Sequence, residues 1–349
     1  MNRIIQIKDR KIGENCGCYV IAEMSANHAG HIERAIEIIH AAKASGADCI
    51  KLQTYTPDTM TIDCDKEYFH ISQGTWQGES LYKLYQKAYT PWEWHGKLKE
   101  EADKVGLDFL STPFDKTSVD FLENLGVNAY KVASFELTDI PLIKYIASKG
   151  KPIIMSTGMG TLGEVEEAIN AVASQNNNNL CILKCSSSYP AVPEDMNLRT
   201  MNNLYETFGV PVGLSDHSMG SIGAVTAVAL GATVIEKHFC LSREIENPDA
   251  LFSMEPGEFK EMVDDIRTAE RALGRVTYQL SEREQANRTF RRSIFVVKDI
   301  KKGEVFTEEN IRVIRPAHGL PPKEYEGILK RVAIRDIERG TPLEWGMIN

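Results

Sequence analysis

Eight short apolar segments recur along the first 250 residues, and nearly every one ends in polar, chargeable or metal-ligating side chains. They are Cys18–Asn27, Asp48–Thr54, Asp108–Phe114, Ala129–Glu136, Pro152–Gly158, Leu180–Tyr189, Val212–His217 and Val234–Phe239. Helix-like stretches such as Ile32–Ala44 and Pro91–Val105 lie between them. Alternating strands and helices imply a parallel sheet, because each return crossover needs a helix. Eight such units predict an α/β fold closed into a (β/α)8 TIM barrel, whose catalytic groups sit at the C-terminal strand ends. Glycines at 46, 106, 126 and 231 close several of the helix-like stretches, as expected where a left-handed residue leads back into a strand. An open doubly wound sheet is the alternative, but no Gly-x-Gly-x-x-Gly turn follows the first segment.

The 349 residues exceed what a barrel of about 250 residues requires, leaving room for a smaller module. The expected division is a barrel over 1–274, a polar linker over 275–290 and a C-terminal module over 291–349. Within that module VVKDIKKGEVFTEENI (Val296–Ile311) and AIRDIERGTPLEWGMI (Ala333–Ile348) share Asp-Ile-x-x-Gly and a closing isoleucine. Such a quasi-repeat predicts short strands and turns. A module this small has a marginal core of its own, so it is expected to dock on a barrel or on a partner chain. A net charge of −9 provides no global attraction for nucleic acid or an anionic membrane surface. No apolar run approaches the roughly 20 residues of a membrane span, and Met1–Gly13 lacks the apolar core of a signal peptide. Seven scattered cysteines favour packed, reduced thiols in a cytoplasmic protein over a disulfide framework. An insertion after the second segment, Tyr55–Tyr89, reads as a lid or a packing loop.

The segment ends carry the chemistry. Glu23 stands inside the first segment, where an unpaired carboxylate is costly. Lys51 and Gln53 alternate onto one face of the second. The fourth offers Lys131, Ser134 and Glu136, the fifth Ser156, and the seventh Ser215. Lysines, hydroxyls and glycine-exposed amides at one barrel mouth suit a phosphate, although either lysine alone pairs as readily with Glu23 or Glu136. His217 ends the seventh segment and His238 lies in the eighth, so neighbouring strands bring two imidazoles together. That pair, completed by carboxylate or water, suits a divalent transition metal such as Mn²⁺. Asp249 follows a proline turn after the eighth segment; a solvated acidic loop is the alternative there.

Taken together, IAEMSANHAG, IKLQT, YKVASFE, STGMG, GLSDHS, EKHF and NPDA resemble the sialic acid synthase family. RRSIFVVKDIKKGEVFTEENIRVIRP resembles its C-terminal antifreeze-like (SAF) domain, so the likeness spans nearly the whole chain. Within the family, SANHAG, CSSSYP, SREIENPDA and RPAHGLPP are most similar to the pseudaminic acid branch. The resemblance implies a transferase that condenses phosphoenolpyruvate with an N-acetylated amino sugar and releases phosphate. For that branch the sugar is 2,4-diacetamido-2,4,6-trideoxy-L-altrose. It further implies phosphoenolpyruvate contacts at Lys51, Lys131, Ser134, Ser156 and Ser215, metal ligands at His217 and His238, and acidic active-site positions at Glu23, Glu136 and Asp249. Gln53 and Tyr189 fall at positions near the substrates, and Arg315 matches an arginine that reaches the sugar of the partner subunit in a homodimer. The implied cofactor is Mn²⁺, with Mg²⁺ or Co²⁺ as substitutes. Ser187 departs from the family's usual asparagine, which puts the phosphate contact at that position in doubt.

Three rivals are distinguishable. A sialic or legionaminic acid synthase would run the same chemistry on another acceptor. A Schiff-base aldolase would use Lys131 or Lys51 as nucleophile, be trapped by borohydride and survive chelation. A noncatalytic carbohydrate- or ice-binding protein would release no phosphate with any acceptor.

Overall fold

The N-terminal part of the computed structural model is built on eight parallel strands: β3 (Tyr19–Glu23), β4 (Cys49–Thr54), β5 (Asp108–Pro113), β6 (Tyr130–Val132), β7 (Ile153–Ser156), β8 (Leu180–Cys185), β9 (Val212–Asp216) and β10 (Val234–His238). Residues 1–72 and 76–349 are described; the Tyr55–Tyr89 insertion thus includes three residues, 73–75, outside the described set. Hydrogen-bonded neighbours run β5-β4-β3-β10-β9-β8-β7-β6, and β5 and β6 lie side by side where the circle meets, giving a nearly closed barrel. Each of the eight apolar segments holds one strand, because alternation lets every strand present one face to the barrel interior and the other to the surrounding helices. Val20, Ile50, Phe109, Val132 and Ile235 join the outer core with the helices. Tyr19, Ile21, Leu110, Ile154, Leu183 and Val234 fill the interior.

Two strands went unanticipated. β1 (Ile4–Ile7) and β2 (Arg10–Gly13) form an antiparallel hairpin. Its Ile5, Ile7 and Ile12 are buried in the same cluster as the interior strand residues, so the hairpin plugs one end of the barrel. Gly106 and Gly126 follow the helices His95–Val105 and Lys116–Leu125 in the left-handed region (φ +72° and +75°), as their positions before strands require. Two segments are shorter as strands than their apolar character suggested. β3 stops at Glu23 and the chain turns through a 3-10 helix, Ser25–His28; β6 stops at Val132 and Ser134–Glu136 is likewise a 3-10 turn. Both turns swing polar side chains off the ladder at the strand ends.

Residues Arg275–Asn349 form a second compact unit, separate from Met1–Gly274. In it β11 (Ser293–Val296) pairs antiparallel with β12 (Ile311–Ile314). The quasi-repeat has a physical counterpart: Ile300 and Ile337 bond each other reciprocally through N–H···O contacts of 2.9 and 2.8 Å. Asp299 accepts from the Arg339 N–H at 2.7 Å, and Asp336 from the Lys302 N–H at 2.8 Å. Each Asp-Ile-x-x-Gly copy thereby caps the turn of the other. All seven cysteines are free thiols. Among the described residues no helix is long and apolar enough to cross a membrane.

Candidate active site

Strand register decides which polar groups meet. Pairing of β3 with β4 sets Glu23 beside Lys51, and pairing of β9 with β10 sets Ser215 beside Glu236. The outcome is a buried layer of charge directly above the apolar interior. Lys51 Nζ lies 2.7 Å from Glu23 Oε2 and 3.7 Å from Glu236 Oε1. Lys131 Nζ lies 3.8 Å from the same Glu236 oxygen and donates to Ser156 Oγ at 2.7 Å. Ser215 Oγ donates to Glu236 Oε1 at 3.1 Å. Four of the expected phosphate-binding groups, Lys51, Lys131, Ser156 and Ser215, thus share one cluster. Of the expected carboxylate partners Lys51 meets Glu23, whereas Lys131 faces Glu236 and not Glu136.

Glu236 is the site residue that the sequence reading overlooked. It sits two positions before His238 on β10, so alternation sends both side chains to the interior. That spacing was the available signal. Burial alone would raise its pKa, but the ammoniums of Lys131 and Lys51 hold it below the ordinary carboxylate range. Glu23, fully buried, is pushed the other way by desolvation despite the opposing Lys51. Burial also lowers Lys131.

Farther along the strands stand the groups implied for the sugar and the metal. Gln53 Nε2 donates to Glu23 Oε1 at 3.1 Å and to Ser25 Oγ at 2.9 Å. Asp249 Oδ2 accepts from the Ala26 N–H at 3.2 Å, so its proline turn does aim it back at the end of β3 and away from solvent. The His217 and His238 ring centroids are 5.5 Å apart. His217 Nδ1 meets the Ser186 carbonyl at 3.0 Å, an arrangement in which a neutral ring keeps its proton on Nδ1 and leaves Nε2 as a lone pair. His238 Nδ1 is buried with no hydrogen-bond partner among the described residues. Burial, followed by the charge of His217, holds that ring well below its ordinary pKa and therefore neutral. Against burial, which lowers it, Cys185 and the Ser186 carbonyl raise the His217 pKa, so this pair fits a divalent transition metal once His217 releases its proton, with water or substrate oxygens in the remaining positions. No set of three His, Cys, Asp or Glu among the described residues forms a complete protein cage.

Ser134 Oγ and Ser187 Oγ are 3.0 Å apart. Gly158 permits their approach, since a Cβ there would fall 2.3 Å from Ser134 Cβ and 2.8 Å from Ser187 Oγ. Tyr189 stacks on His217 with centroids 4.3 Å apart. Arg315 belongs to the second unit, directly after β12.

Glu136 has a buried Oε2 without a hydrogen-bond partner among the described residues. Desolvation raises its pKa from 4.5 to about 7. The sign of the linkage follows: a folded-state value above the unfolded one favours the neutral acid in the fold. That stability is complete below pH 4.5 and is lost as pH rises through about 7. The full span is worth roughly 3 kcal/mol at about 1.4 kcal/mol per unit. Glu136→Gln should therefore gain roughly 2–3 kcal/mol on wild type between pH 5 and pH 8. Denaturant unfolding at the two pH values measures this, and parallel profiles would refute a neutral, buried carboxyl.

The sequence profile of the NeuB family matches residues 38–278, and that of the SAF domain matches residues 291–349. The chain is 49% identical to a pseudaminic acid synthase of Campylobacter jejuni, over 93% of this chain and 95% of that protein. It is 46% identical to a pseudaminic acid synthase of Helicobacter pylori, over 93% and 96%. A crystal structure of N-acetylneuraminic acid (sialic acid) synthetase from Leptospira borgpetersenii, in complex with citrate, is 29% identical. It superposes with a TM-score of 0.73 over 82% of this chain and 96% of that one. The chain belongs to the NeuB family of sialic acid synthases and carries a C-terminal SAF domain.

Proposed function

We propose that the chain is a transferase that condenses phosphoenolpyruvate and water with 2,4-diacetamido-2,4,6-trideoxy-L-altrose, giving pseudaminic acid and phosphate. The observation that carries this reading is the 46–49% identity to pseudaminic acid synthases over nearly the whole chain, backed by the buried lysine–carboxylate cluster at the strand ends.

Lys51, Lys131, Ser156 and Ser215 hold the phosphate and carboxylate of phosphoenolpyruvate, with Ser134 and Ser187 beside them. The enolic carbon attacks the aldehyde carbon of the open-chain sugar, and the aldehyde oxygen takes up a proton. Water then adds at the carbon bearing phosphate and gives up a proton. The resulting tetrahedral centre expels phosphate by carbon–oxygen cleavage as its hydroxyl collapses to the ketone, the hydroxyl proton leaving with the phosphate. A carboxyl poised near neutrality can both give and receive such protons, which is what supports Glu136 for the exchange in this reading. Glu23, buried against Lys51, supplies negative charge where the attacked enol becomes cationic. Gln53, Tyr189 and Asp249 orient the sugar. A divalent cation held by His217 and His238, Mn²⁺ first with Mg²⁺ or Co²⁺ as substitutes, supplies Lewis acidity to the carbonyl when bound.

A cytoplasmic homodimer, with Arg315 of one chain serving the sugar of the other, completes the proposal. The dimer is supported by a run of exposed apolar side chains on segments that follow β6 to β10: Phe135, Met159, Val192, Met219, Ile222 and Leu251. A second copy would cover them.

The test is phosphate release from phosphoenolpyruvate with the diacetamido-altrose, N-acetylmannosamine and the legionaminic precursor as acceptors. Release is expected with the first, should fall to background with chelator and should return with Mn²⁺. His217→Ala and His238→Ala should each cost at least about 100-fold in kcat, the scale for losing transition-state charge stabilisation. Preference for either other sugar would overturn the acceptor, and release with none would revive a noncatalytic carbohydrate-binding protein.

A further inference from the structure

The groups around the imidazole pair divide into two chemistries. One lining is polar: Gln53 bridges Glu23 and Ser25, and Asp249 is held against the Ala26 amide. The other is aromatic and comes from three separate loops. Tyr189, after β8, has its ring centroid 4.3 Å from His217, 5.1 Å from Phe252 and 5.9 Å from Trp76. Phe252, on the segment after β10, stands nearly perpendicular to His238 at 4.9 Å and 74°. Trp76, from the insertion after β4, donates its indole N–H to the Pro248 carbonyl at 3.0 Å, immediately ahead of Asp249.

The rings run contiguously from Trp76 through Tyr189 to Phe252, with Tyr189 against His217 and Phe252 against His238, and are apolar apart from the Tyr189 hydroxyl. Trp76 spends its one polar hydrogen on Pro248, and Phe252 has none, so neither offers a hydrogen bond to a ligand. Phe252 is 2% exposed and backs the half-buried Trp76 and Tyr189 rings; against the Trp76 face a hydroxyl would lose water without a replacement partner, whereas a methyl would gain burial. The polar and aromatic groups flank the imidazole pair on two sides, the same division between polar and deoxygenated ends that the proposed acceptor carries.

We propose that the Trp76–Tyr189–Phe252 wall receives the deoxygenated, methyl-bearing end of the acceptor, making Trp76 and Phe252 specificity-determining residues that select a 6-deoxy sugar over its 6-hydroxy counterpart. This rests on the acceptor reading above. Tyr189 packs on His217, Phe252 packs on His238, and half-buried Trp76 meets Tyr189 from the insertion.

The experiment compares kcat/KM for a matched pair of acceptors, the diacetamido-trideoxy-altrose and the same sugar bearing a C6 hydroxyl, at saturating phosphoenolpyruvate. Wild type should favour the 6-deoxy sugar by about 10–200-fold, the range for one apolar group in a pocket. Trp76→Ala and Phe252→Ser should each cut that ratio at least about fivefold, chiefly through the 6-deoxy substrate, with KM for phosphoenolpyruvate unchanged. Phe252→Leu, which keeps an apolar wall and is the safer variant for folding, should retain most of the preference. If both acceptors fall equally and the ratio holds, the rings merely support the fold and the proposal is overturned. A wild type that turns over neither sugar, but does use N-acetylmannosamine, would sink the acceptor reading itself, an outcome separate from an unmoved ratio.

Discussion

Lys237→Met should destabilise the barrel by about 3–5 kcal/mol, the cost of stranding one member of a buried ion pair. Lys237 and Asp216 face outward from β10 and β9, between strand and helix, where both side chains are 0% exposed. The ammonium lies 2.8 Å from Asp216 Oδ2, donates to the Gly220 carbonyl at 3.1 Å and also bonds the Ser218 carbonyl. Asp216 Oδ1 in turn accepts from the Ser218 N–H at 2.9 Å and hydroxyl at 2.6 Å. Removing the ammonium leaves a carboxylate and two carbonyls in a dry site. For a domain of this size the loss corresponds to roughly 10 °C in Tm. The double variant Asp216→Asn/Lys237→Met should lose less than the single one, because no buried charge is then left unpaired. Calorimetry on the three proteins checks both statements, and a Tm within about 2 °C of wild type for Lys237→Met would refute the first. The pair also fixes the 217–220 turn that carries His217. At a temperature where the variant remains folded, its affinity for Mn²⁺ should fall along with its stability.

What the sequence disclosed follows from the same alternation. A barrel strand must be apolar on both faces until its C-terminal end, where the interior face becomes the site. A sudden Glu, Lys or His at that point is therefore visible without a structure. Glu23, Lys51, Lys131, His217 and His238 were legible for this reason, and the structure gathers them at one end of the barrel. Glu236 carries the same signal, two positions before His238, and was passed over, while Lys237 stands on the outward face, where that rule is silent. In the fold they point to opposite faces, one into the lysine cluster and the other into a separate buried salt bridge. The N-terminal hairpin was hidden by its charged turn, Lys8-Asp9-Arg10. Only the barrel's need for a plug explains why Ile5, Ile7 and Ile12 are almost completely buried. Contacts between distant loops, such as Trp76 with Tyr189 or Tyr189 with Phe252, leave no trace in spacing at all.

The two lysines of the cluster should differ in stability and respond alike in activity. Lys131 makes no close ion pair: its nearest carboxylate oxygen, on Glu236, is 3.8 Å away, and Lys51 also serves that carboxylate. Burial disfavours its charge, so a methionine of similar length removes a desolvation cost as well as a favourable interaction. Stability of Lys131→Met should stay within about 1 kcal/mol of wild type. Lys51 is 2.7 Å from a fully buried Glu23, and Lys51→Met would leave that carboxylate without its counterion. It should lose about 3 kcal/mol or more, less at acidic pH where Glu23 can take up a proton. Both variants should lose about 100- to 1,000-fold in kcat/KM for phosphoenolpyruvate, since each deletes a charged donor aimed at an anion in a water-poor site. Urea unfolding at pH 8, paired with phosphate-release kinetics, separates the cases. A Lys131→Met protein that is stable yet uses phosphoenolpyruvate normally would remove this lysine from the binding site. Equal destabilisation of the two variants would mean that Lys131 is held by Glu236 as firmly as Lys51 is held by Glu23.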